Sequence, residues 1–194
     1  MFVLSASFAR CASPTLTLTE QEVIEALLPQ AVMTRHSKKH VIEDTTSVRM
    51  LQMGKDYDSF SEGLRQEAKH SDEPFREALD DFLKKNKADV QIVFPTNAPK
   101  SVELVSAATL KEIFAAKPDA KPNGWDIFYQ RFPDADGLIR ISRVGIDSKS
   151  TVAIIYLGQQ SGYLAGRGGI CVLRREGGKW VYTRHEVIGP GWVS

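Results

Sequence analysis

Apolar positions recur at two different periods along this chain, and the period changes near Pro133. Before that point the spacing is mostly helical. Thr19-Glu20-Gln21-Glu22 has the form of a capping box, and Val23, Ile24, Leu27, Leu28 and Ala31 follow at helical spacing, predicting a helix over 20–33. Phe60, Leu64 and Ala68 make a narrower stripe interrupted by Gly63. Ser71-Asp72-Glu73-Pro74 supplies a helix start, and Phe75, Ala78, Leu79, Phe82 and Leu83 then define a helix over 74–86. A second capping box, Thr109-Leu110-Lys111-Glu112, opens a short helix through Ala116. Beyond the Pro- and Lys-rich loop 117–122, Trp125, Phe128, Tyr129 and Phe132 share one helical face. Between these helices lie short β-branched runs: 40–46 reads as a strand, and 90–94 and 101–105 read as two strands of a hairpin joined by the turn-forming segment 95–100.

After Pro133, apolar β-branched runs at 138–146, 152–157, 170–175 and 179–188 alternate with turn residues, the signature of an antiparallel meander. Val152 to Leu157 is continuously apolar, as a central strand covered on both faces would be. Glu176-Gly177-Gly178-Lys179 is a two-residue hairpin turn, which sets Arg175 beside Trp180, Leu173 beside Tyr182 and Cys171 beside Arg184. The expected fold class is therefore α+β: N-terminal helices with short strands packed on a C-terminal antiparallel β-meander, of the kind found in cystatin-like or NTF2-like cones. Residues 1–18 read as a flexible or signal-remnant tail, and 19–194 as a single α+β domain.

Composition narrows the partners. At 194 residues and 42% hydrophobic content, the chain can bury a core without metal or disulfide staples. A net charge of +1 with no basic block argues against nucleic acid. No apolar run reaches the ~18 residues that span a bilayer, so the chain is not expected to be integral to a membrane. Met1 to Ala9 is apolar and ends in the small-x-small pattern Ser7-Phe8-Ala9, as a signal peptide does, but no Lys or Arg precedes it. Cytoplasmic residence and export to the periplasm or extracellular space both stay open.

Candidate chemistry is sparse. Cys11 and Cys171 are too far apart in sequence for a metal pair, and the hairpin register turns His185 away from Cys171, which excludes a nucleophilic dyad. Gly158-Gln159-Gln160-Ser161-Gly162 has the wrong spacing for a nucleophile elbow. Gly166-Arg167-Gly168-Gly169 precedes no helix that could present amides to a phosphate, so both segments read as a bulged or wide connection between strands. His36 and His40 have the i, i+4 spacing of metal ligands, but His40 opens a strand, where residues four apart are separated by about 13 Å. Asp134-Ala135-Asp136-Gly137 lacks the remainder of an EF-hand loop, and Asp80 and Asp81 read as the wet face of their helix. No cofactor is implied and no catalytic residue is assigned.

Arg143 stands apart. A four-residue loop 147–150 would pair Ile146 with Thr151 and place Arg143 opposite Ile154, on a face shared with Ile139, Ile141, Val152 and Tyr156. A charge there is an anchor for an anion in a sheet-floored pocket, or is neutralised by an acidic residue from a covering helix, or extends to water past the sheet edge. Arg143, Tyr156 and Arg184 are the candidate ligand-binding residues.

Ser142-Arg143-Val144-Gly145-Ile146, Gly162 to Gly168, Lys179-Trp180 and the closing Trp192-Val193-Ser194 resemble a group of uncharacterised bacterial proteins, many of them exported. The resemblance covers about the last 70 residues and implies no activity. The expected function is non-enzymatic binding of an unknown small molecule or protein. A small hydrolase with an unrecognised site is one alternative. A secreted adaptor or inhibitor, presenting an exposed patch with Trp192 or Tyr163, is another.

Overall fold

The computed structural model describes residues 15–31, 39–47, 56–183 and 188–193. Helix α1 spans Leu18–Ala31, followed by β1 at Lys39–Glu43, α2 at Tyr57–Glu67 and α3 at Glu73–Lys85. Strand β2 (Val102–Val105) leads into α4 (Ala107–Ile113) and α5 (Gly124–Arg131). The C-terminal strands are β3 (Ala135–Ile141), β4 (Gly145–Ile146), β5 (Val152–Gly162), β6 (Ala165–Glu176), β7 (Lys179–Tyr182) and β8 (Ile188–Val193).

Helix starts follow local polar chemistry. The Asp72 side chain accepts from Phe75 N at the start of α3, and Asp56 does the same from Ser59 N for α2. The α1 box lies two residues earlier than its sequence form suggested: Glu20 N donates to Thr17 Oγ1, and Thr17 N donates back to Glu20 Oε2. Glu20, rather than Glu22, is thereby drawn inward. Likewise Ser106, not Thr109, caps α4. Leu16, within the stretch read as tail, is a core residue.

The α+β class is present, but the sheet is mixed. Its eight strands, among the described residues, run β2-β1-β3-β5-β6-β7, with β4 also on β5 and β8 also on β6. Every pairing from β3 onward is antiparallel, whereas β1 lies parallel to both β2 and β3. The expected 90–94/101–105 hairpin does not form. Gln91 instead bridges Thr45, Ile92 N donates to Asp44 O, and 102–105 lies on the far side of β1. Pro95 and Pro99 punctuate the connection, and the open edge of β1 pairs with β2 where a tight turn would have been needed for the alternative.

Side-chain alternation sorts the core onto two faces. Ile139, Ile155, Leu157 and Leu173 pack under Val23, Ile24, Leu27 and Leu28 of α1. On the opposite face, Val152, Ile154, Tyr156 and Val172 meet Leu64 of α2 and Leu79 and Phe82 of α3. Farther along that second face, Val41, Val105 and Leu138 lie under Leu110 of α4 and Trp125 and Phe128 of α5. The continuously apolar run at 152–157 is therefore the central strand its composition implied.

The glycine-rich segments extend the strands rather than connecting them. Residues 158–162 and 165–169 continue a single long hairpin, bulged between Gln160 and Gly162 and turned at Tyr163-Leu164. The reason is steric. A Cβ at Gly158 would lie 2.7 Å from the Tyr156 hydroxyl, and one at Gly168 only 2.4 Å from Trp192 Nε1. Glycines here let the two aromatic side chains lie flat on the sheet, where Trp192 Nε1 donates to Tyr156 Oη at 2.9 Å.

Candidate ligand-binding site

Arg143 occupies an irregular break between β3 and β4. Ile141 pairs with Leu157, whereas Gly145 pairs with Ile154, so one extra residue sits in the 142–144 segment and reverses which face each side chain meets. Asp147 sets the register after the break, accepting from the backbone N–H groups of Lys149, Thr151 and Val152. Ile146 consequently pairs with Ala153 instead of Thr151. The surface expected to unite Arg143, Ile139, Ile141, Val152 and Tyr156 is split between the two faces of the sheet.

The Arg143 guanidinium meets a carboxylate from the covering helix. Nε and Nη2 each donate to Glu20 at 2.8 Å, a bidentate pair in which Glu20 is 0% and Arg143 7% exposed. Asn86 clamps the same segment, donating to Arg143 O and accepting from Arg143 N. Lys85 Nζ donates to Val144 O. Burial alone would raise the Glu20 carboxyl, but the hydrogen bonds from Arg143 and Thr17 N and the charges of Lys85 and Arg143 outweigh it, holding its pKa below the ordinary value.

Tyr156, only 1% exposed, lies beneath α2 and α3. Burial raises its hydroxyl pKa, against the Trp192 hydrogen bond and the nearby positive charge of Arg140. Arg184, His36 and His185 lie outside the described residues. His40 is on β1, as read, with a buried Nδ1 that has no partner among the described residues, and burial lowers its pKa.

Two concavities among the described residues touch the sheet. One is a polar cleft of about 540 Å³ lined by Glu43, Thr45, Asp89, Ala107, Arg140 and Gln160. Its guanidinium is already engaged: Arg140 Nε donates to Glu43 Oε2 at 2.7 Å and Nη1 to Gln160 Oε1 at 3.2 Å, tying β1, β3 and β5 together. The other is a hollow of about 300 Å³ past the C-terminal end of α1, floored by Leu157, Gly169 and Cys171 and walled by Ala31, Tyr182 and the β8 strand. Arg167 lines it, with Nη2 donating to Ala31 O at 2.5 Å.

The glycines of this hollow differ from those under the aromatic side chains. Gly169 would bring a Cβ no closer than 3.6 Å to Gly191 Cα, and Gly191 no closer than 3.4 Å to Gly168 O. Neither has a positive φ. Among the described residues nothing in the backbone or the packing requires glycine at either place, and the side chains they lack are the space of the hollow. Sequence reading took these glycines as marks of a connection, since pattern alone does not separate a glycine that admits a neighbour from one that leaves a gap.

Cys171 shares the hollow but is no nucleophile. Burial pushes its thiol up to about 11, against a hydrogen bond with Tyr182 and the charge of Arg167. Iodoacetamide at mildly alkaline pH should therefore leave Cys171 unmodified in the native protein and label it once the chain is unfolded. Peptide mass mapping checks this, and prompt native labelling would show an accessible thiolate.

Among the described residues, no group of three or more His, Cys, Asp or Glu side chains is placed to hold a metal ion, and no helix is long and apolar enough to cross a membrane. Compared with protein-family models, with curated proteins and with solved structures, the chain matches none.

Proposed function

We propose that this chain is a non-enzymatic binding domain that holds a small, largely apolar ligand in the hollow between the end of α1 and strands β6 and β8. The observation that carries this reading is the pair Gly169 and Gly191, which open an apolar hollow on the sheet with no conformational or steric need for glycine among the described residues. Its volume of about 300 Å³ lies at the small end of the range for ligand sites. Leu157, Cys171, Ala31 and Tyr182, on the α1 face of the sheet, supply the apolar lining, and a few polar groups converge on it, the usual composition of a pocket that binds rather than reacts. The cystatin-like or NTF2-like cone belongs to the same proposal, supported by the long β5–β6 hairpin with helices laid across it.

Two features weigh against the adaptor or inhibitor reading. Trp192 is folded onto Gly166 and Gly168, and Tyr163, 38% exposed, is tied down by its hydroxyl, which accepts from Gly124 N at 3.2 Å. The large apolar side chains left most exposed near them are Leu164 at 86% and Val193 at 87%.

The test is to fill the hollow. Gly169→Val should abolish binding of a neutral apolar fluorescent probe such as N-phenyl-1-naphthylamine, while leaving the thermal midpoint unchanged or raised, because the added methyl groups take space that is otherwise empty. Probe binding that persists undiminished in a folded Gly169→Val protein would sink the proposal.

A further inference from the structure

We infer that the hollow selects amphipathic monoanions, small carboxylates with a short apolar body, and that Arg167 is the residue that reads the negative charge. This inference rests on the binding role proposed for the hollow and names the ligand class that fits it. Arg167 projects from β6 on the same face of the sheet as Cys171, and its charge reaches the Cys171 thiol on the floor. One amino group, Nη2, holds the last carbonyl of α1 at Ala31, which fixes the guanidinium at the rim. Among the described residues neither Nε nor Nη1 has a hydrogen-bond partner, and no carboxylate pairs with Arg167, in contrast to Arg140, Arg143, Arg174 and Arg175, which all face acids.

The chemistry follows from that contrast. A half-buried guanidinium anchored by one nitrogen presents its remaining donors in a planar fork, the geometry a carboxylate accepts. Behind the fork lie Leu157, Cys171 and Ala31 and the space left by Gly169 and Gly191, an apolar surface that takes an aliphatic or aromatic body. A ligand with a single negative head and an apolar tail satisfies both halves; a cation meets Arg167 as a like charge.

Calorimetric titration of the full chain with octanoate, octanol and octylamine tests the assignment without any substitution. Octanoate should bind about ten- to a hundredfold more tightly than octanol, and octylamine more weakly than either. Arg167→Gln should bring octanoate down to the affinity of octanol, and Arg167→Lys, which keeps charge but not the fork, should fall between. Equal binding of octanoate and octanol in the native protein, or an Arg167→Gln variant that keeps the preference, would overturn the anion assignment while leaving the hollow as a binding site, provided Gly169→Val still removes all binding. If none of the three compounds binds, or if Gly169→Val leaves their binding intact, the binding role of the hollow fails and the inference with it.

Discussion

Replacing Glu20 with Gln should cost about 3–5 kcal/mol of folding stability, a large part of the roughly 5–15 kcal/mol that holds a domain together. The carboxylate is fully buried, takes both donors of the Arg143 fork and also accepts from Thr17 N and Val144 N. A glutamine presents an amino group to one of those donors and leaves the guanidinium buried with its charge uncompensated. Urea midpoints measure the effect. Replacing both partners by Met should recover much of the loss, because two apolar side chains bring no buried charge. A Glu20→Gln loss below about 1 kcal/mol would mean that the pair is not an anchor of the fold.

The same pair sets an acid limit. The Glu20 carboxyl is below its ordinary value of 4.5 in the folded chain, so the unfolded chain takes up a proton first as pH falls. The stability it contributes is present above about 4.5 and is lost as pH drops through the lower, folded value. In Glu20→Gln that portion of the pH dependence should disappear, which urea midpoints taken stepwise below 4.5 will show.

Gly145→Ala should be nearly as damaging, with an expected loss on the order of 3 kcal/mol. A Cβ at this position would lie 2.3 Å from Ala78 O and 2.3 Å from Phe82 N, backbone atoms of α3 that move only if the helix moves. Strand β4 is thus pressed against α3 at van der Waals distance. Gly63→Ala in α2 is the matched control: it has open space around it and should stabilise by about 0.5–1 kcal/mol through helix propensity. Thermal unfolding of the two variants side by side separates contact from propensity. If Gly145→Ala melts with the parent protein, the α3–β4 approach is looser than described.

Sequence legibility tracked the distance over which an element is decided. Helix α3 was read to within one residue of its observed bounds, because Asp72 and the Phe75-to-Leu83 stripe are all local. The Gly177-Gly178 turn likewise gave the β6–β7 register, and Arg175 does lie over Trp180, 5.3 Å from the ring centre. Parallel pairing of β1 with β2 and β3 leaves no such local mark, since the partners lie far apart in sequence and each run reads only as a short strand.

At the candidate site, the geometry found for Arg143 is the acidic partner from a covering helix, one of its three sequence readings. The identity of that partner was hidden because several acids of α1 were available and the cap position decided among them. The extra residue at 142–144 shifted Gly145 and Ile146 out of the register of β3, an event that alternation alone cannot foresee, while Arg143 stayed on the α1 side with Ile139. The hollow itself was invisible, being made of what Gly169 and Gly191 lack.

Glu20 and Arg143 are 123 residues apart along the chain. At about 5–20 residues per second on the ribosome, the acid waits roughly 6–25 s for its base to be made. Through that interval the nascent chain has α1 but lacks β5, β6 and β7, which supply Ala153, Ile155, Leu157, Leu173 and Trp180 to its apolar side, and the cation that justifies its buried carboxylate. A message cut short before codon 143 would therefore yield a product with an uncovered greasy helix, which the cell's proteases and chaperones are built to find.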